Sequence, residues 1–201
     1  MPDPASDSRL APRLVALEAA VVILALLLAW WMNLPLIPVL HPTPSAVLLA
    51  MVATLPMLAL MYWIGRSRWK PFAGLMREVD GRIAPLFAGS SLVHLAAIAV
   101  AAGIAEELLF RGVLQQWLEV RIGTIAAMVG AAVLFGLAHA ITRTYAAVAA
   151  AIGLYLGWLL AVTGNLVVPI VTHALYDFAA LWYLVHRETA PLPVPNGNGS
   201  S

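Results

Sequence analysis

The sequence predicts an all-α polytopic membrane bundle of about six transmembrane helices plus one interfacial amphipathic helix. Three observations carry that prediction. Of the 201 residues, 62% are hydrophobic and only 10% are charged, whereas a soluble domain carries roughly 25% charged residues. Six apolar runs approach the length of about 20 residues that a helix needs to cross a bilayer. Pro and Gly clusters separate these runs as turns.

In chain order the expected spans are Leu14–Met32, Ala46–Ile64, Ser91–Leu118, Thr124–Ile141, Thr144–Val162 and Leu166–Val185. Arg9 and Arg13 precede the first, as in a signal peptide. Its apolar run is too long for one, and no small-x-small cleavage site follows AWWMNLP, so an uncleaved anchor is expected. NLPLIPVLHPTPS (33–45) and TGN (163–165) read as turns. Between the second and third spans, Trp69, Phe72, Met76, Val79, Ile83 and Phe87 recur at spacings of three and four. Lys70, Arg77, Glu78, Asp80 and Arg82 fall between them. That pattern predicts an amphipathic helix in the interface, weakened by Pro71, Gly74, Gly81 and Pro85. The tail APLPVPNGNGSS cannot form a core and is expected to be disordered. The domain reading is a cytoplasmic segment 1–13, one membrane-embedded unit 14–187 and a disordered tail 188–201.

With the N-terminus in the cytoplasm, that side receives Arg9, Arg13, Arg66, Arg68, Lys70, Arg77, Arg82, Arg143 and Arg187. The other side receives only Arg121. Six spans return the C-terminus to the cytoplasm, and a bacterial inner membrane is the expected location. The net charge of +1 and the lack of a broad basic patch argue against a nucleic-acid partner. The chain has no cysteine, which removes disulfides, zinc–thiolate sites and thiol nucleophiles.

Charged side chains inside a span are costly and mark function by default. The expected set is Glu106, Glu107, Arg111, His139, His173 and Asp177; His41, His94 and His186 fall near ends or in loops. Neighbours on a helix point about 100° apart, so Glu106 and Glu107 cannot share a face. Glu107 and Arg111 stand at i and i+4 with the acid first, the favoured order for an ion pair. Their pairing locks the helix and leaves Glu106 needing a partner from another helix.

His139 answers that need. The turn RIGT (121–124) lies midway between Glu106 and His139, so at 1.5 Å per residue both sit roughly 25 Å from it. Phe135, one turn before His139, walls the same face. His173 and Asp177 form a second polar pair, in which the carboxylate can fix the imidazole tautomer. Counting from TGN makes His173 shallower than Glu106, unless that turn dips into the membrane.

A Glu/His pair that activates water, opposite a hydrogen-bond donor, is the logic of amide hydrolysis. Other intramembrane protease inventories are missing. There is no HExxH, Asp177 is the single intramembrane aspartate, and no serine sits mid-span as a nucleophile.

EELLFR (106–111), FGLAH (135–139) and HALYD (173–177) resemble three motifs, EExxxR, FxxxH and HxxxN/D, in order and in relative spacing. They are those of the CAAX-protease and bacteriocin-processing (CPBP/Abi) family, glutamic intramembrane endopeptidases that include the type II CAAX prenyl endopeptidases. The resemblance covers roughly residues 90–186. It implies that Glu106 and His139 activate a water against a peptide carbonyl, with Glu107 and Arg111 as support, and that His173 and Asp177 line the oxyanion site. It implies no cofactor and no metal. The prenyl-protease branch has asparagine where this chain has Asp177. An ionised carboxylate cannot donate to an oxyanion, so Asp177 is expected to orient a donating His173 or to be protonated.

Two other classes fit the same residues. A metal-dependent membrane hydrolase could use Glu106, Glu107, His139 and His173 as ligands. A transporter, immunity or regulatory protein could use them as a proton relay or structural lock. The expected partners are the lipid bilayer and a membrane-associated protein or peptide substrate: a prenylated CAAX chain, a precursor peptide or a C-terminal sorting tail.

Overall fold

The computed structural model describes residues 10–187, so Arg9, most of the N-terminal segment and the tail 188–201 lie outside the described residues. The molecule is an all-α membrane bundle. Its helices are α1 (Leu10–Trp31), α2 (Pro44–Arg66), α3 (Lys70–Glu78), α4 (Ala84–Phe87) and α5 (Leu92–Glu107). They continue with α6 (Gln116–Ile122), α7 (Thr124–Ala138), α8 (Arg143–Thr163) and α9 (Val167–His186).

The helix ends follow local chemistry. The side chains of Thr43, Ser91 and Thr142 accept hydrogen bonds from the amides of Ala46, His94 and Tyr145, which satisfies first-turn donors of α2, α5 and α8. Gly164, at φ 61°, ends α8 in the left-handed conformation that glycine adopts without a Cβ penalty. Val79–Ile83 joins α3 to α4 as a π-helical stretch, and Leu108–Gln115 does the same between α5 and α6. The second widening begins directly after the two glutamates. Such π segments are common at functional sites.

Among the described residues five helical stretches are long and apolar enough to cross a membrane: α1, α2, the run Leu92–Ile122, α8 and α9. The expected fourth span is shorter than predicted. α7 is an apolar helix of 15 residues that stops at Ala138, and His139 caps it. The amphipathic segment is helical as expected, and Leu75, Met76, Val79 and Ile83 on its apolar side line a cavity.

α5 runs through the middle, with α1 on one side and α9 on another, and α9 also packs on α2. Gly103 lets α5 and α9 close up, since a Cβ there would stand 3.0 Å from the Ile170 carbonyl oxygen and the Ala174 Cβ. α7 and α8 form an antiparallel hairpin against the π segment. The loop before α2 folds over the α8–α9 turn. His41 and Asn165 exchange hydrogen bonds of 3.1 and 2.8 Å, and the Leu166 amide donates to the Val39 carbonyl at 2.7 Å. Leu166 is completely buried, packed against Leu36, Leu108 and Val113.

Candidate active site

Glu107 and Arg111 are both inaccessible to solvent. Arg111 Nη1 donates to Glu107 Oε1 at 2.6 Å, closing the expected ion pair. Arg111 Nη2 crosses to α8 and donates to the Gly153 carbonyl at 2.9 Å. A turn later Gln115 Nε2 donates to the Gly157 carbonyl at 3.0 Å. These buried polar side chains, one turn apart, therefore meet carbonyls one turn apart on the facing helix. Gly153 must be small, because a Cβ there would come within 3.1 Å of Arg111 Nη2.

His173 sits against the same carboxylate. Its Nδ1 lies 2.9 Å from Glu107 Oε1, and its Nε2 lies 3.4 Å from Asp177 Oδ2. The sequence reading gave the orienting task to Asp177 alone; Glu107 makes the shorter contact and reaches the opposite nitrogen. That contact also answers the depth question, since His173 is level with the glutamates. The α8–α9 turn can lie so far in because the loop before α2 covers it and satisfies Leu166 and Asn165.

Glu106 points away from this triad. Its Oε2 stands 3.5 Å from His139 Nε2 and has no closer hydrogen-bond partner. The Phe135 carbonyl lies 2.9 Å from His139 Nδ1. A carbonyl only accepts, so Nδ1 carries hydrogen, and in the neutral ring Nε2 presents its lone pair toward Glu106. His139 takes this position because α7 ends there.

Phe135 links the two halves. Its ring lies 4.4 Å from the His139 ring and 5.9 Å, edge to face, from the His173 ring, with the Arg111 guanidinium 4.5 Å from its centre. Phe135, His139, His173 and Asp177 open onto a cavity of about 340 Å³, which Tyr145 and Tyr176 also line. Its remaining wall is almost wholly apolar and extends to α3 and to Arg187 at the end of α9. His41, His94 and His186 are exposed and stand apart from this cavity. Among the described residues no three His, Asp or Glu side chains group as metal ligands. Glu107 already holds a cation, Arg111, which disfavours a metal at that oxygen.

Residues 88–179 match the family model described as Rce1-like, type II CAAX prenyl endopeptidase Rce1-like. Over that segment the chain is similar to the CAAX-protease family. No curated protein and no solved structure matches the chain. The CAAX-protease segment runs from just before α5 into α9 and contains all three polar motifs, whereas α1, α2 and the amphipathic α3 precede it. CAAX-type intramembrane proteases are hydrolases of membrane-associated substrates. With its several apolar helices, this chain is an integral multi-pass membrane protein.

Sequence reasoning did not find Gln115, Gly153, Gly157 or Tyr145. Gly153 and Gly157 carry a visible signal, the spacing GxxxG within an apolar run, which favours close helix approach. Tyr145 carries none, because nothing in its local sequence points it at the cavity.

Proposed function

We propose that this chain is a glutamic-type intramembrane endopeptidase in which Glu106 and His139 activate water. The observation that carries the reading is the Glu106–His139 pair, 3.5 Å apart. The histidine's other nitrogen is committed to the Phe135 carbonyl.

In this reading a water between the two groups loses a proton to the Glu106 carboxylate, while His139 Nε2 accepts its second hydrogen and aims it. The water oxygen bonds to the substrate carbonyl carbon, and the C=O electron pair moves onto oxygen. His173 is the donor to that oxyanion. Carboxylates face both of its nitrogens, Glu107 at Nδ1 and Asp177 at Nε2, so its ring N–H groups are held in place by acceptors on either side. Collapse of the intermediate breaks the C–N bond, and Glu106 returns its proton to the leaving amine. Asp177 then acts through His173, which accommodates an aspartate where a donor amide would otherwise serve. Glu107 and Arg111 hold His173 and the helix in register.

The substrate is a membrane-associated protein or peptide whose apolar portion fits the cavity: a prenylated CAAX chain, a precursor peptide or a C-terminal sorting tail. The lysine and arginine distribution supports a bacterial inner-membrane protein with both termini in the cytoplasm, and 14–187 reads as one catalytic unit. The test is cleavage by the purified protein in lipid nanodiscs of a prenylated CAAX peptide, its unprenylated form and a bacteriocin-type precursor. Comparison of protein termini in cells carrying wild type or Glu106→Gln extends the search to unknown substrates. The reading requires wild-type cleavage of at least one substrate and its loss in Glu106→Gln. Equal cleavage by both proteins, or none by wild type, sinks it.

A further inference from the structure

α1 packs against the helix that carries Glu106 and turns a buried carboxyl group inward, and the chemistry above does not use it. α1 is apolar all round, yet its faces are distinct. Ala11, Leu14, Glu18, Val22, Ala25 and Ala29, spaced by three and four, turn toward the protein, while Leu17, Ile23, Leu24 and Leu27 are exposed. Glu18 is the single acidic residue of this helix, and it lies on the inward line. On one side of it, Leu14 and Val15 pack with Leu95, Ile98 and Phe178. On the other, Val22 and Ala25 pack with Leu108 and Val113. α1 and α5 therefore run parallel, and Glu18 comes level with the part of α5 that ends in Glu106.

Oε2 of Glu18 is shut off from solvent without a hydrogen-bond partner, as is Oε2 of Glu106. Arg13, the one cation of α1, is on the exposed face. The charged groups on the elements that α1 packs against are Glu106 and the Glu107–Arg111 pair, with His139, His173 and Asp177 next in the same polar network. Arg111 is taken by Glu107, and each histidine already faces a carboxylate. Glu18 is the surplus acid. Two carboxyl groups so placed in low dielectric oppose each other's ionisation and titrate as a unit.

We infer that Glu18 is a positioning residue of this site, its carboxyl group coupled to Glu106 and His139 so that a proton is retained among the three. The inference rests on the endopeptidase reading only in taking Glu106 as the base. Glu18 lies on the first span, before the segment that matches the family model.

The test uses the full-length protein in nanodiscs and two readouts. One is the pH–rate profile, and the other is the titration of the His139 imidazole followed by nitrogen NMR. Glu18→Gln keeps the shape and removes the titrating charge. It shifts both curves to lower pH by about one unit, the size expected of a charge several ångströms away at intermediate dielectric. KM and melting temperature stay as in wild type. Glu18→Asp restores both curves toward wild type, which a purely structural role would not require. Unchanged curves in Glu18→Gln overturn the inference. If the wild type cleaves nothing, the endopeptidase reading fails by itself, and the His139 titration still decides the role of Glu18.

Discussion

Glu107 Oε1 is shared: it accepts a hydrogen bond from Arg111 Nη1 at 2.6 Å and faces His173 Nδ1 at 2.9 Å. One carboxylate oxygen thus ties α5, the π segment and α9 together. The same residue neutralises a cation and sets the ring that faces Asp177. In the proposed mechanism the adjacent glutamates therefore have separable effects, structural for Glu107 and chemical for Glu106.

Removing Glu107 leaves Arg111 buried without its counter-charge. Glu107→Ala is expected to cost about 3–5 kcal/mol of stability, the usual penalty for breaking a buried pair. Thermal unfolding in a mild detergent measures it. Glu107→Leu combined with Arg111→Leu should be less damaging than Glu107→Leu alone, because no orphaned charge remains.

Under the proposed mechanism, Glu106→Gln removes the base while keeping the shape. Its kcat should fall by about 10²–10⁴-fold, the range for general-base catalysis. KM and melting temperature should stay close to wild type. A large drop in melting temperature would mean that Glu106, too, is structural.

Phe135 packs on both histidine rings and on Arg111. Phe135→Leu keeps most of the volume and should cost under about 1.5 kcal/mol in stability. Its kcat should fall well beyond what that loss explains, because neither imidazole keeps its aromatic neighbour. Phe135→Ala opens a cavity worth about 3–5 kcal/mol. Unfolding curves paired with initial rates separate the two effects.

Gly153→Val should displace Arg111 from α8. The added Cβ alone would stand 3.1 Å from Nη2, 3.2 Å from the Phe135 ring and 3.3 Å from the Ala132 Cα, and valine's methyl groups add to that crowding. Overpacking of this kind costs about 1–3 kcal/mol. Gly65→Ala, where a Cβ meets nothing within 4 Å, is the matched control. Equal unfolding temperatures for the two variants would contradict the packing described for α8.

Asp80 and Arg187 join the amphipathic stretch to the end of α9 by an ion pair at the far end of the cavity. The Asp80 side chain is half exposed, so the pair contributes at most about 1 kcal/mol to global stability. Its effect is local. Arg187→Ala should speed hydrogen exchange across Lys70–Glu78 while leaving α5 and α9 protected.

The fold class and the polar inventory were written in the sequence. Composition and run length determine a membrane bundle, because a chain with 10% charged residues has no way to clothe a soluble surface. Helical spacing determines the Glu107–Arg111 pair, since i and i+4 meet on any α-helix, and equal distance from the RIGT turn brings Glu106 to His139. The reach of those rules is one helix or one hairpin. The contact of His173 with Glu107 depends on how far the α8–α9 turn is driven into the bundle. A loop more than a hundred residues earlier decides that by satisfying Asn165 and Leu166. The second backbone bonds to Gly153 and Gly157 depend on the approach of α8 to the π segment. Glu18 looks from its neighbours like one acid in a uniformly apolar helix, and only the packing of α1 on α5 gives that helix an inward face. Local periodicity fixes what lies on one element, whereas contacts between distant elements follow from how apolar faces of similar composition sort among themselves, and tertiary packing alone makes that choice.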